Sequence, residues 1–228
     1  MVVSLLYHVQ NLRLLGDKYN ILYVKTPKTG SSSVKDTLID YCVFNDIKYS
    51  TNSVEGIDRI KTGIGASLGH ITYDLLIKKV KPKLIYSNKT LIISSVREPL
   101  DKYISHCGYI GRNVNHYQGF KNKGWDKIMD NQMCYYLGFS NLESITKENI
   151  KNKFDYVTVL DEWDKSMSNL SDMMGTQLKN YHTIPYSFYS NRNPKRKNNQ
   201  INPSVVNLYK KNNEMDYKLY ELCKEIYV

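Results

Sequence analysis

Ile21-Leu22-Tyr23-Val24-Lys25-Thr26-Pro27-Lys28-Thr29-Gly30-Ser31-Ser32-Ser33-Val34 is the stretch that decides the fold of this chain. Its β-branched and aromatic start reads as a strand. A Pro-Lys-Thr-Gly turn follows, and three serines then open a segment with apolar residues at Val34, Leu38 and Ile39, which is helical spacing. A strand, a short glycine turn and a helix N-terminus make an anion site. The first amides of a helix lack internal partners and carry the positive end of its dipole. Ser31, Ser32 and Ser33 add hydroxyl donors, and Lys28 adds a mobile cation. A phosphate or sulfate ester suits such a site. The same letters also fit an ordinary helix after a strand. The nucleoside-triphosphate loop does not fit, because it needs Gly, four residues, then Gly-Lys-Ser/Thr. Here the lysine precedes the glycine and no second glycine follows.

A second segment repeats the logic. Thr90 to Val96 reads as a buried strand, and Arg97-Glu98-Pro99 leads into a helix with Pro99 in its first turn. Arg97 then stands at the carboxyl end of a strand, where open α/β sheets collect ligands. It can hold a phosphate bidentately, and Ser105, two turns into the helix, can add a hydroxyl. Taken alone, Arg97 also suits a salt bridge.

Together the two segments resemble the sulfotransferases that use 3′-phosphoadenosine 5′-phosphosulfate (PAPS). Pro27-Lys28-Thr29-Gly30-Ser31-Ser32-Ser33 looks like that family's 5′-phosphosulfate loop, and Val96-Arg97-Glu98-Pro99 through Ser105 like its 3′-phosphate element. The likeness is to the carbohydrate branch, in particular the heparan sulfate and uronyl 2-O-sulfotransferases. Leu68-Gly69-His70-Ile71-Thr72-Tyr73 resembles the segment with the catalytic histidine. Phe154 to Glu162 resembles a later strand-to-helix step. Asn191-Arg192 through Lys197, with Lys195 inside it, falls where the family has a basic loop over the nucleotide. The branch often carries a second histidine just before the catalytic one; here Ser67-Leu68 precede Gly69-His70.

The resemblance implies PAPS as donor and a hydroxyl acceptor, a glycan or a small molecule. Thr29, Gly30, Ser31, Ser32, Ser33, Arg97, Ser105, Arg192 and Lys195 would bind the nucleotide together with Lys28. Lys28 would also stabilise charge on the leaving phosphate, helped by the amides of Thr29 to Ser33. His70 is the expected general base, since a hydroxyl must lose its proton and imidazole titrates near neutrality. Glu98 and Asp74 are the alternatives. A small-molecule kinase could use the same anion site, but Arg97 and Ser105 would then have no purpose as a 3′-phosphate pair. A basic nucleic-acid-binding module could use Arg192 to Lys197, but the run lacks aromatic interleaving and leaves Lys28 unexplained. Nucleic acid is therefore not the expected partner.

Composition bounds these readings. At 228 residues and 41% hydrophobic content, one α/β domain over 1–228 is the simplest organisation. No apolar run approaches the ~18 residues of a membrane span. Met1 to Leu15 lacks a basic start and a cleavage site, so it is expected to pack on the domain as a helix or strand. A cytoplasmic protein is the expectation that follows. The net charge is 32 − 22 = +10, and no acid occurs from Met173 to Asn213, which suits polyanionic partners. Cys42, Cys107, Cys134 and Cys223 form no Cys-x-x-Cys pair, and each lies in a helical segment, so buried reduced thiols are expected and zinc is not.

The remaining pattern gives strands at Asn20–Lys25, Phe44–Tyr49, Leu91–Val96 and Tyr156–Leu160. Helices are expected at Ser32–Cys42, Tyr73–Val80 (stopped by Pro82), Leu100–Gly108, Trp125–Leu137, Glu162–Met174 and Pro203–Ile226. Thr51–Gly69 reads as irregular and Gly111–Gly124 as a surface loop. Strands alternating with helices predict a three-layer α/β/α fold around a mostly parallel sheet, with a P-loop-like strand–loop–helix at Lys28.

Overall fold

Asn20–Val24 (β1), Tyr49–Ser50 (β2), Ala66–Ser67 (β3), Thr90–Val96 (β4) and Tyr156–Val159 (β5) form one sheet in the order β2-β3-β1-β4-β5, every pair parallel. These assignments come from a computed structural model that describes residues 20–52, 54–84, 90–119, 129–174 and 201–228. The expected N-terminal packed segment, the start of the Trp125 helix and the basic loop with Arg192 and Lys195 lie outside the described residues.

The helices are α1 (Ser31–Phe44), α2 (Tyr73–Leu75, continued by a π-helical stretch over Leu76–Val80), α3 (Pro99–Ile110), α4 (Gln132–Leu137), α5 (Lys147–Lys153), α6 (Trp163–Met174), α7 (Pro203–Asn212) and α8 (Glu214–Tyr227). Every residue of β1 is buried, as a strand covered on both faces requires. Its side chains alternate. Ile21 and Tyr23 pack with Val34, Leu38 and Cys42 of α1 and with Trp163, Met167 and Leu170 of α6. Leu22 and Val24 pack on the other face with Met133, Ile150, Leu219 and Cys223 from α4, α5 and α8. This is the three-layer α/β/α arrangement. A smaller cluster joins Tyr103 and Cys107 of α3 to Val114, Tyr117, Val205 and Tyr209. All four cysteines are buried and free, in α1, α3, α4 and α8. No helix among the described residues is long and apolar enough to cross a membrane.

The strand order predicts a crevice at the β1–β4 edge. From β1 the chain turns into α1 on the first face. From β4 it turns into α3, whose buried Lys102 lies near the Asp216 carboxylate of α8, on the second face. β1 and β4 are direct neighbours with Val24 opposite Ser94. Two adjacent parallel strands whose helices leave to opposite sides form a topological switch point, and the space lies at their carboxyl ends.

Several boundaries differ from the sequence reading. α1 runs through Phe44, which is 66% exposed, and stops at Asp46 with a φ of 53°. The expected strand at Phe44–Tyr49 is therefore only Tyr49–Ser50. The stretch read as irregular contains β3, buried between β1 and β2. The expected surface loop after Gly111 buries Val114 and Tyr117 in the third cluster. α5 was not anticipated, although Thr146 caps it by accepting from the Asn149 amide.

The single C-terminal helix expected over Pro203–Ile226 breaks at Asn213, whose side chain bonds the Tyr117 hydroxyl and accepts from the Asn131 amide. At this break two helix starts cap each other. The Asp216 carboxylate accepts from the amides of Met133 (3.1 Å) and Cys134 (2.8 Å) in α4. The Asn131 side chain accepts from the Asp216 amide in α8 at 3.2 Å.

Candidate functional site

The turn after β1 is tied to β4 by a chain of buried hydroxyls. The Thr26 hydroxyl donates to the Ser95 carbonyl at 2.8 Å, and the Thr29 hydroxyl donates to the Thr26 carbonyl at 3.0 Å. The Ser95 hydroxyl lies 2.7 Å from that of Thr29 and 2.9 Å from that of Tyr23. Burial holds the Tyr23 phenol far above its ordinary pKa, so it stays a hydroxyl. The Thr29 side chain is thus engaged inside the turn, which leaves its amide as the group it can offer. Lys28 has a left-handed φ of 62°. Gly30, at φ 72°, is the N-cap of α1, and a Cβ there would collide with Leu160. No side chain caps α1. Ser31 is buried, Ser33 half-buried and Ser32 exposed.

Arg97 ends β4 against this turn. It is 4% exposed, and one terminal nitrogen donates to the Lys28 carbonyl at 3.5 Å. The other terminal nitrogen is 3.7 Å from the Asp101 carboxylate, beyond hydrogen-bond length. Nε and Nη2 are both buried with no hydrogen-bond partner among the described residues. Asp101, Ser105 and Tyr109 recur every four residues on α3 and so share one helix face. The Lys28 ammonium sits 4.3 Å from the centre of the Tyr109 ring. Ser105 therefore lies one turn from the Asp101–Arg97 pair and one turn from the Tyr109–Lys28 pair. Burial, then the Arg97 charge, lowers the Lys28 pKa.

His70 reaches the same turn from the β3 side. Its Nδ1 is 2.9 Å from the Lys25 carbonyl. A carbonyl only accepts, so Nδ1 carries the proton and the basic lone pair is on Nε2. Burial, then the Lys25 ammonium, pulls His70 down to about 4, so the ring is neutral at physiological pH. Gly69, just before it, packs against another part of the main chain: a Cβ there would overlap the backbone carbonyl of Asn52. Gly69→Ala is expected to destabilise by at least the ~1–3 kcal/mol typical of overpacking, because a main-chain carbonyl cannot rotate aside. Urea denaturation checks this, and an unchanged midpoint would contradict the close approach.

Lys28, Thr29, Gly30, Ser31, Ser32, Ser33, Arg97, Ser105 and His70 thus gather around the β1–β4 crevice. Arg192 and Lys195 lie outside the described residues. Glu98 caps α3, its carboxylate accepting from the Asp101 amide at 2.6 Å, while its own amide donates to Asp161. Asp74 is exposed, and its charge lies near the Lys153 ammonium and the Gly138 turn. Glu98 thus has structural work in the cap of α3. Lys25, Asp101 and Tyr109 join the site without having been anticipated. The four-residue repeat from Ser105 to Tyr109 was a readable signal for the last of them.

Charge sets what the arrangement can hold. Lys25 and Arg97 bring two buried cations and Lys28 a half-buried one to one crevice, and among the described residues the only carboxylate within ion-pair distance of any of them is Asp101. Buried charge without compensation is costly, and an anionic guest relieves it. An uncapped helix start beside them adds amide donors. The crevice suits a ligand with at least two negative charges. No family model matches the chain, and no curated protein matches it.

Proposed function

We propose that this chain is a PAPS-dependent O-sulfotransferase whose acceptor is a hydroxyl compound, in first place a carbohydrate. The observation that carries this reading is Arg97: a buried guanidinium with two nitrogens that make no hydrogen bond among the described residues, bonded to the carbonyl of Lys28 in the loop that would hold the 5′ end. A ligand with one phosphate needs only the loop. A ligand with separate 5′ and 3′ anions uses both.

In this reading the first-turn amides of α1 and the Lys28 ammonium hold the 5′ end. Arg97 and Ser105 hold the 3′-phosphate, and Arg192 and Lys195 belong to a basic loop over the nucleotide. His70 takes the acceptor proton on Nε2. The donor supplies a sulfuryl group already bonded to a good leaving phosphate. The chain's own residues supply alignment and charge stabilisation.

The deciding measurement is a calorimetric titration with 3′-phosphoadenosine 5′-phosphate against AMP and ATP. The bisphosphate is expected to bind best, and Arg97→Ala to weaken it by about 1.5–3 kcal/mol, the range for a charge-assisted contact. Equal affinity with and without the 3′-phosphate would overturn the assignment. A preference for ATP would favour a kinase.

A further inference from the structure

Lys25 directly follows β1, and neither the 5′ nor the 3′ anion is assigned to it. It is 9% exposed, and no carboxylate among the described residues lies within ion-pair distance of it. The charges acting on it oppose each other: Lys35 repels its ammonium and Asp36 attracts it, and those two are themselves paired at 3.1 Å. Burial, then the Lys35 charge, lowers the Lys25 pKa to about 8, so the group is still mostly a cation at neutral pH. A mostly buried ammonium of this kind destabilises the unliganded fold, which a purely structural lysine has no reason to do.

The neighbours of the two turn lysines divide the crevice. The charge acting on Lys28 is Arg97, on the side of the 3′-phosphate element. Beside Lys25 stands His70, whose ring bonds the Lys25 carbonyl at 2.9 Å and feels its charge. In an in-line transfer the base stands beside the attacking oxygen and the leaving-group cation beside the departing one. The transferring group lies between them. A cation anchored next to the base therefore meets that group from the acceptor side.

We infer that the Lys25 ammonium contacts the non-bridging oxygens of the sulfuryl group in transfer, while Lys28 holds the phosphate oxygen that leaves; this rests on the sulfuryl-transfer reading. The acceptor oxygen forms a bond to sulfur as the bond from sulfur to the phosphate oxygen breaks. The acceptor proton moves to His70 Nε2, and the electron pair stays on the nucleotide phosphate. Lys25 keeps its proton throughout and acts by charge alone. It is a catalytic residue specific to the sulfuryl group, so the desulfated nucleotide does not need it.

Two experiments test this. In Lys25→Met, turnover is expected to fall by about 10²-fold, the scale for removing one donor from a developing charge. Affinity for 3′-phosphoadenosine 5′-phosphate should stay within about threefold of wild type, well under the tenfold that 1.4 kcal/mol represents. The melting temperature of the unliganded protein should rise by about 2–4 °C, the change that relief of 1 kcal/mol gives at this size. The second experiment needs no variant. Wild-type protein is modified with an amine-reactive reagent at pH 8, and Lys25 is followed by peptide mass spectrometry. PAPS at ten times its Kd is expected to slow Lys25 modification by about tenfold, by simple occupancy. The desulfated nucleotide at the same multiple of its Kd should leave it unprotected. Equal protection by both nucleotides, no protection by either, or full turnover in Lys25→Met overturns the inference about Lys25. Failure of wild type to bind the bisphosphate at all overturns the function itself, and is read in the same titration.

Discussion

Replacing His70 by alanine is expected to slow turnover by about 10²–10⁴-fold, the range for loss of a positioned base, with nucleotide affinity nearly unchanged. Three features make it the largest effect in the protein. Its Nδ1 is fixed to the Lys25 carbonyl, so the ring is oriented and Nε2 is the proton acceptor. Its neighbour Gly69 admits no side chain, so the backbone that carries the ring is packed against Asn52. The alternatives are otherwise engaged, with Glu98 capping α3. Burial and Lys25 depress the ring to about 4, so the neutral form dominates from mildly acidic pH upward. The sign follows. Activity in the unliganded-enzyme parameter kcat/KM should rise as pH increases through about 4 and stay flat across neutrality, with no limb near the ordinary histidine value of about 6.5. His70→Asn retains a donor for the Lys25 carbonyl and lacks the basic nitrogen, so it should be as slow as alanine while melting like wild type. Activity within a few-fold of wild type in either variant would move the base elsewhere.

Lys28→Ala comes second, with an expected loss of about 10²–10³-fold in turnover. The lysine is at the centre of the crevice, its carbonyl bonded to Arg97 and its ammonium over Tyr109. Stability should change little. The left-handed backbone at position 28 strains lysine and alanine alike, and the stacked cation sits on a ring that is 60% exposed. Single-turnover kinetics with bound donor isolates the step. A variant with unimpaired chemistry and weakened nucleotide binding would make Lys28 a binding residue only.

The parts of this molecule that were readable from the chain are those with a local cause. β1, β4 and β5 are runs rich in apolar and β-branched residues, and Pro99 and Gly30 mark the helix starts beside them. The meeting of Lys28 and Arg97 followed from strand ends alone, since parallel neighbours deliver their carboxyl termini to one edge. What escaped reading depends on partners far along the chain. β3 is two residues long and exists because β1 and β2 flank it. The Thr29 hydroxyl looks available until Ser95, sixty-six positions later, is beside it. Lys25 reads as any surface cation until β1 is buried to its end. The break at Asn213 has no helix-breaking residue of its own and arises from contacts with Tyr117 and Asn131.

The exchange of caps between Asp216 and Asn131 has a consequence for how the chain acquires its structure. The first turn of α4 is satisfied by a residue of α8, and the first turn of α8 by a residue just before α4. Each helix start therefore lacks its terminator until the other is present. A capped end contributes about 1 kcal/mol, enough to decide whether a six-residue helix persists. The two segments are more than eighty residues apart, so neither can be completed early by local zippering. They form one cooperative unit that closes late and opens together. Loosening of the C-terminal helix would reach the α4 layer beneath the sheet before it reached the turn that carries Lys28.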